Sequence, residues 1–253
     1  MNCNFHSGWL LILALALGLA PEAPAHYPVA PSLAGAWERS TVVDGDPVTQ
    51  VLLFAGDYFS WTEYRSADGD FHFTKGGHWS ADGGQLVFTY EFHTAGAAQV
   101  GAEALLSFEL DRQKLRLVLP GGASTEWSRL DSGTTTPLSG AWLFAGRRRD
   151  GELQRRSTDG PRKTMKLLTG NRFQWIAYNT ATKQFFGTGG GTYTADDGRY
   201  VETIGFFSRD KSRVGAVLSF DFEVQDGEWH HSGFSSQGDP MYELWAPRKE
   251  SRH

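Results

Sequence analysis

The chain has 253 residues, 40% of them hydrophobic and 21% charged, a composition of folded rather than disordered protein. The net charge of −5 excludes a broad basic field of the kind that draws nucleic acid, and the length suits two domains of about 100 residues each. Cys3 is the single cysteine, which excludes an internal disulfide, a cysteine–zinc site and dithiol redox chemistry.

At the N-terminus the apolar run "GWLLILALALGLA" is followed by Ala23-Pro24-Ala25, an A-x-A site. This predicts a secretory signal peptide over 1–25, a linker over 26–32, and a secreted or periplasmic protein without a stable membrane span after cleavage. The run is shorter than the roughly 20 residues that a span needs. The segment before it, "MNCNFHS", carries no Lys or Arg, so an uncleaved anchor is the rival reading.

The rest of the chain is an internal repeat. "LAGAW" at 33–37 returns 105 residues later as "LSGAW". "FAGDYFSWTEY" at 54–64 returns 114 residues later as "LTGNRFQWIAY", and "FHFTKGGHWSADGGQLV" returns at the same offset as "FFGTGGGTYTADDGRYV". "LLSFEL" at 105–110 returns after 112 residues as "VLSFDF", and Trp127 after 118 as Trp245. The units are placed at 33–130 and 138–248, with a Gly/Thr/Pro-rich linker over 131–137 and a tail over 249–253.

In chain order the first unit gives the strands "TQVLLF", "YFSWTEY", "FHFTKG", "GHWSA", "QLVFTYEF", "ALLSFEL", "KLRLVL" and "TEWSRL". "AG", "SADGD", "ADGG", "DRQ" and "PGG" break them with residues that supply tight turns. The basic run at Arg147, Arg148 and Arg149, interrupted by Asp150 and Glu152, reads as a solvated hairpin. The second unit gives "KTMKLLT", "RFQWIAY", "QFFGTG", "GTYTA", "RYVETIGFF", "AVLSFDFEV", "EWHHSG" and "MYELWA". No long helical period appears. The predicted fold is all-β: two tandem up-and-down antiparallel β-barrels of about eight strands each, with two β-sandwiches as the alternative.

"GAW" at 35–37 and 140–142, each opening an all-β unit with a basic residue near its last strand, resembles the lipocalin and fatty-acid-binding group of barrels. "FFSRDKSRVGA", "WHHSG" and "YELWA" also look like a lipocalin-like group of secreted bacterial proteins without an assigned activity. The resemblance implies that Trp37 and Trp142 plug the closed barrel ends. It implies that Arg129, and less directly Arg248 beyond Pro247, lie over those rings as cations over indole.

Strand alternation assigns faces. Leu218, Phe220 and Phe222 oppose Ser219, Asp221 and Glu223. In "RFQWIAY", Phe173 and Trp175 oppose Gln174, Ile176 and Tyr178. In "YVETIGFF", Tyr200, Glu202, Ile204 and Phe206 oppose Val201, Thr203, Gly205 and Phe207. Both faces of the last two strands carry apolar residues, which a domain–domain contact or a filled cavity would explain. In "EWHHSGF", His230 and His231 point to opposite faces, so they do not ligate one metal from that strand. No metal or cofactor is expected. "GTGGGT" lacks the phosphate-loop lysine and reads as a bulged or closely packed strand.

The function expected is an exported lipocalin-like binding protein for a small hydrophobic or aromatic molecule, held in the second barrel. Trp175, Tyr178, Phe207 and Tyr242 would be walls, and Arg172, Glu202, His230 and His231 polar handles. The alternatives are an enzyme pairing His230 or His231 with Asp221 or Glu243, and a structural or protein-interaction module.

Overall fold

Strand-forming runs separated by Asp-Gly and Gly-Gly turns build consecutive hairpins, and the computed structural model places them as two closed antiparallel barrels in tandem. It describes Met1 and residues 32–131, 134–234 and 238–249. The signal-peptide reading of 1–25 and most of the tail therefore lie outside the described residues. Among the described residues, no helix is long and apolar enough to cross a membrane.

The first barrel comprises β1 (Gly35–Val43), β2 (Asp46–Ala55), β3 (Tyr58–Arg65), β4 (Phe71–Asp82), β5 (Gln85–His93), β6 (Glu103–Leu110), β7 (Lys114–Val118) and β8 (Ser124–Arg129). Each strand pairs with the next, and β8 closes on β1, with Trp37 opposite Arg129. The second comprises β9 (Gly140–Arg149), β11 (Arg162–Leu168), β12 (Arg172–Asn179), β13 (Gln184–Asp196), β14 (Arg199–Phe207), β15 (Val217–Gln225), β16 (Glu228–Phe234) and β17 (Pro240–Pro247), closed by β17 on β9. The extra strand β10 (Glu152–Arg155) pairs only with the far end of β9. It makes the expected basic hairpin, whose turn is Asp150 at φ 53° and Gly151 at φ 82°.

Two expected strand breaks are bulges instead. "FHFTKG" and "GHWSA" run on as β4, and "QFFGTG" and "GTYTA" as β13. The ladder shifts at Gly76/Gly77 and at Gly190/Gly191. Backbones approach closely there: a Cβ on Gly77 would lie 2.1 Å from the Thr89 carbonyl oxygen, and one on Gly191 2.0 Å from that of Thr203. The second bulge also overturns an expected face. Phe206 leaves the Tyr200–Glu202–Ile204 face at Gly205, and Phe207 takes its place inside the barrel.

Both barrels belong to one compact unit. The two-faced strands meet at a seam formed by the outer faces of β2, β3 and β5 and of β9, β11 and β12, where Val51, Leu53, Leu143, Met165, Leu167 and Ile176 are buried. The seam has a pseudo-two-fold. Tyr64 stacks on Phe206 at 5.2 Å, and the residues 114 positions away make the reciprocal contact, Tyr178 with Phe92 at 4.9 Å. Phe71 stacks on its own repeat partner, Phe185, at 6.2 Å. This is the self-complementary geometry of a two-fold dimer, made within one chain. Its polar centre is Gln174, which donates to Thr74 at 3.0 Å and to Thr188 at 2.9 Å and accepts from Thr62 at 3.0 Å. The joint between barrels is anchored as well: the buried Asp131 carboxylate accepts from the backbone N–H of Ala36 at 2.9 Å and of Gly170 at 3.4 Å.

Candidate functional site

The two barrel interiors have diverged. In the first, Phe59 stacks on Phe88 at 3.9 Å and Trp61 meets Trp127 edge-on at 5.0 Å, over a core completed by Leu52, Leu86, Leu115 and Leu117. The second encloses an open cavity of about 630 Å³. That volume falls within the range of small-molecule sites, about 300–1,000 Å³. Trp175, Phe207, Phe144, Ile204 and Leu218 form its apolar walls. The cavity opens where β9 and β14 end and β11 and β17 begin. At the other end Trp142 donates to the Leu138 carbonyl at 2.9 Å, as Trp37 does to Leu33.

Lys166, Glu202, His231 and Glu243 line the cavity between these walls. Lys166 is only 5% exposed. Its Nζ lies 3.7 Å from Glu202 Oε2 and about 5 Å from the rings of Tyr200, Trp229 and Trp245. Glu202 Oε2 accepts from the Tyr200 hydroxyl at 2.9 Å. Burial, reinforced by Glu202, pushes the Tyr200 phenol well above its ordinary range, so it stays a donor. Glu243 accepts from the Trp245 indole N–H at 3.1 Å, and its Oε2 lies 3.6 Å from His231 Nδ1. Burial alone would raise Glu243, but His231, Lys166 and Trp245 outweigh it and hold this carboxyl below its usual range.

His231 is 1% exposed, and neither ring nitrogen has a hydrogen-bond partner among the described residues. Burial first, and the Lys166 charge second, lower its pKa, while Glu243 works against them. A histidine depressed in the folded state makes no contribution above its unfolded pKa of about 6.5 and favours unfolding below it, because the unfolded chain takes the proton first. His231→Leu, which installs the residue that the first barrel has opposite Leu110 (Leu115), is therefore expected to preserve stability at pH 7.5 and to exceed the wild type at pH 5.5. Urea midpoints at the two pH values check this; a variant equally destabilised at both would contradict it.

Of the residues expected at the site, Trp175, Glu202, Phe207, His231 and the weaker candidate Glu243 come together in the cavity. The others do not. Tyr178 is buried in the seam. Arg172 donates to Asn171 Oδ1 at 3.1 Å and borders a smaller inter-barrel cavity of about 180 Å³. His230 lies on the outer face of β16, its Nδ1 2.5 Å from the Tyr242 hydroxyl, and Arg148 covers the Tyr242 ring at 4.3 Å. Asp221 also faces outward and pairs with Arg199 at 2.9 Å. Arg129 lies 4.0 Å over the Trp37 ring. Arg248 does not cover Trp142. The residue opposite Trp142 in the ladder is Pro247, where the first barrel has Arg129 opposite Trp37. Arg248, one residue on, turns outward and lies 4.0 Å over Tyr58 of the first barrel.

Lys166 escaped the sequence reading although the repeat carries its signal. "VLLF" at 51–54 aligns with "MKLL" at 165–168, so a lysine stands where the first barrel has inward-facing Leu52. The same offset sets Glu202 against Phe88.

No family model matches the chain, and no curated protein matches it. Among solved structures it is similar to an uncharacterized protein from Saccharomyces cerevisiae at 11% identity, over 85% of this chain and 99% of that one, with a TM-score of 0.45.

Proposed function

We propose that this chain is an exported, lipocalin-like binding protein that holds a small apolar or aromatic molecule in its second barrel. The observation that carries the reading is the contrast between interiors: one barrel filled by stacked rings, the other open over about 630 Å³ with aromatic walls and a buried histidine. A barrel fold is compatible with ligand binding, and duplication lets one copy keep the structural role while the other opens. The export half of the proposal rests on the N-terminal apolar run and its A-x-A site.

The test is titration with N-phenyl-1-naphthylamine, an uncharged aromatic probe that fluoresces in apolar surroundings. Saturable binding with one site per chain is expected. Trp175→Ala with Phe207→Ala removes a tilted ring pair 5.5 Å apart and is expected to weaken binding by about tenfold or more. No saturable binding, or binding indifferent to the double substitution, would overturn the proposal.

A further inference from the structure

We infer that the molecule bound by the second barrel is an amphipathic anion, its aromatic or apolar body inside the cavity and its acidic group outward among arginines at the mouth. The inference rests on the binding reading above and adds the chemistry of the ligand.

Arg147, Arg156, Arg209 and Arg213 line the open end of the cavity. Among the described residues none of the four meets a carboxylate at salt-bridge distance, whereas Arg65, Arg155, Arg199 and Arg248 elsewhere do. Arg209 is fixed by donating through Nε to the Phe186 carbonyl at 2.9 Å, and Arg156 donates to the Arg162 carbonyl at 3.3 Å. Two acids lie near these arginines: Glu243, opposite Arg147 in the ladder and accepting from the Trp245 indole, and Asp210. The Asp210 carboxylate is engaged locally, accepting from the Ser212 N–H at 3.0 Å and hydroxyl at 2.6 Å. Four cations around one opening, on a chain of net charge −5, make a local positive field at a cleft with low-dielectric walls.

The interior fixes the orientation. Lys166 at the base is already paired with Glu202, and Glu243, opposite Arg147 in the ladder, lines the wall between base and rim. An acidic group is repelled at that depth and attracted at the rim, so it points out. His231, nine-tenths and more buried, lines the same cavity; its Nδ1 lies 3.6 Å from Glu243 Oε2, and its Nε2 has no hydrogen-bond partner among the described residues. Such a group is satisfied by a hydrogen-bonding atom at the inner end of the ligand. The mouth therefore selects charge, the walls select an apolar body, and the base selects one polar atom.

The probe pair is 8-anilino-1-naphthalenesulfonate and N-phenyl-1-naphthylamine, which share their rings and differ by the sulfonate. At low salt the sulfonate is expected to bind about tenfold more tightly, an advantage that shrinks at about 0.5 M salt. Arg147→Gln with Arg213→Gln, neither of which forms a side-chain hydrogen bond among the described residues, is expected to weaken the sulfonate by about tenfold and leave the amine within about twofold. Unchanged amine binding also reports an intact barrel. Equal affinity for both probes, or equal weakening of both, overturns the anion inference and leaves the binding reading standing. Failure of both probes to bind removes the binding reading and this inference with it.

Discussion

Arg248→Met is expected to destabilise the two-barrel unit by about 3–5 kcal/mol at neutral pH, the effect of stranding a buried partner charge. Arg248 Nη2 donates to Glu91 Oε1 at 2.6 Å, and Nη1 donates to the Tyr178 hydroxyl at 2.8 Å. That hydroxyl in turn donates to Glu91 Oε2 at 2.5 Å. Glu91 lies on the first barrel, Tyr178 on the second, and Arg248 follows the last strand, so the triad spans the seam. Burial pushes the Glu91 carboxyl up, but His78, Arg248 and Tyr178 together hold it well below the usual range. A carboxylate depressed in the folded state contributes stability above its unfolded pKa of about 4.3, and this is lost as pH falls through the folded value. The gap between wild type and variant should therefore be widest near pH 7 and narrow below about pH 4. Adding Glu91→Gln should recover part of the loss, because no bare charge then remains. Urea unfolding followed by tryptophan fluorescence measures this. A loss under about 1 kcal/mol, or one independent of pH, would contradict the triad's role.

Lys166→Met is the second large effect, again expected at about 3–5 kcal/mol, because Glu202 is left buried without its cation. The repeat supplies the rescue. Lys166→Leu with Glu202→Phe installs the first barrel's pair, Leu52 and Phe88, at the equivalent positions. Replacing a buried ion pair by packed apolar side chains is often neutral or stabilising, so this double variant should match or exceed the wild type in urea while losing N-phenyl-1-naphthylamine binding. A double variant no more stable than Lys166→Met would contradict the account of Lys166 as a paired charge in a core position.

These two effects differ in how far they were legible in the sequence. The barrels were legible because turns and alternating strands recur in the same order, and the repeat carries the same residue types through both copies. That His230 and His231 face opposite ways was also legible, since adjacent residues on a strand alternate, but which of them turns inward was not. The seam was visible only as strands apolar on both faces. Which residues reach across it depends on how two closed surfaces dock, so Tyr178 and Arg248 read as cavity and plug residues and proved to join the barrels. A single bulge at Gly205 exchanged the faces of Phe206 and Phe207, because alternation holds only while the ladder stays in register. The rim arginines were hidden for another reason: they come from the ends of β9, β10 and β14 and the turn that follows, far apart in sequence, and closure brings them together.

The central claim is that the second barrel binds and the first is filled. The indole N–H region of a two-dimensional ¹⁵N–¹H spectrum, recorded with and without N-phenyl-1-naphthylamine, tests it directly. Trp175 and Trp245 line the cavity, so their signals should shift on titration, while those of Trp37, Trp61 and Trp127 in the first barrel should stay in place. Shifts confined to the first-barrel tryptophans, or no shift at Trp175 and Trp245, would contradict the account.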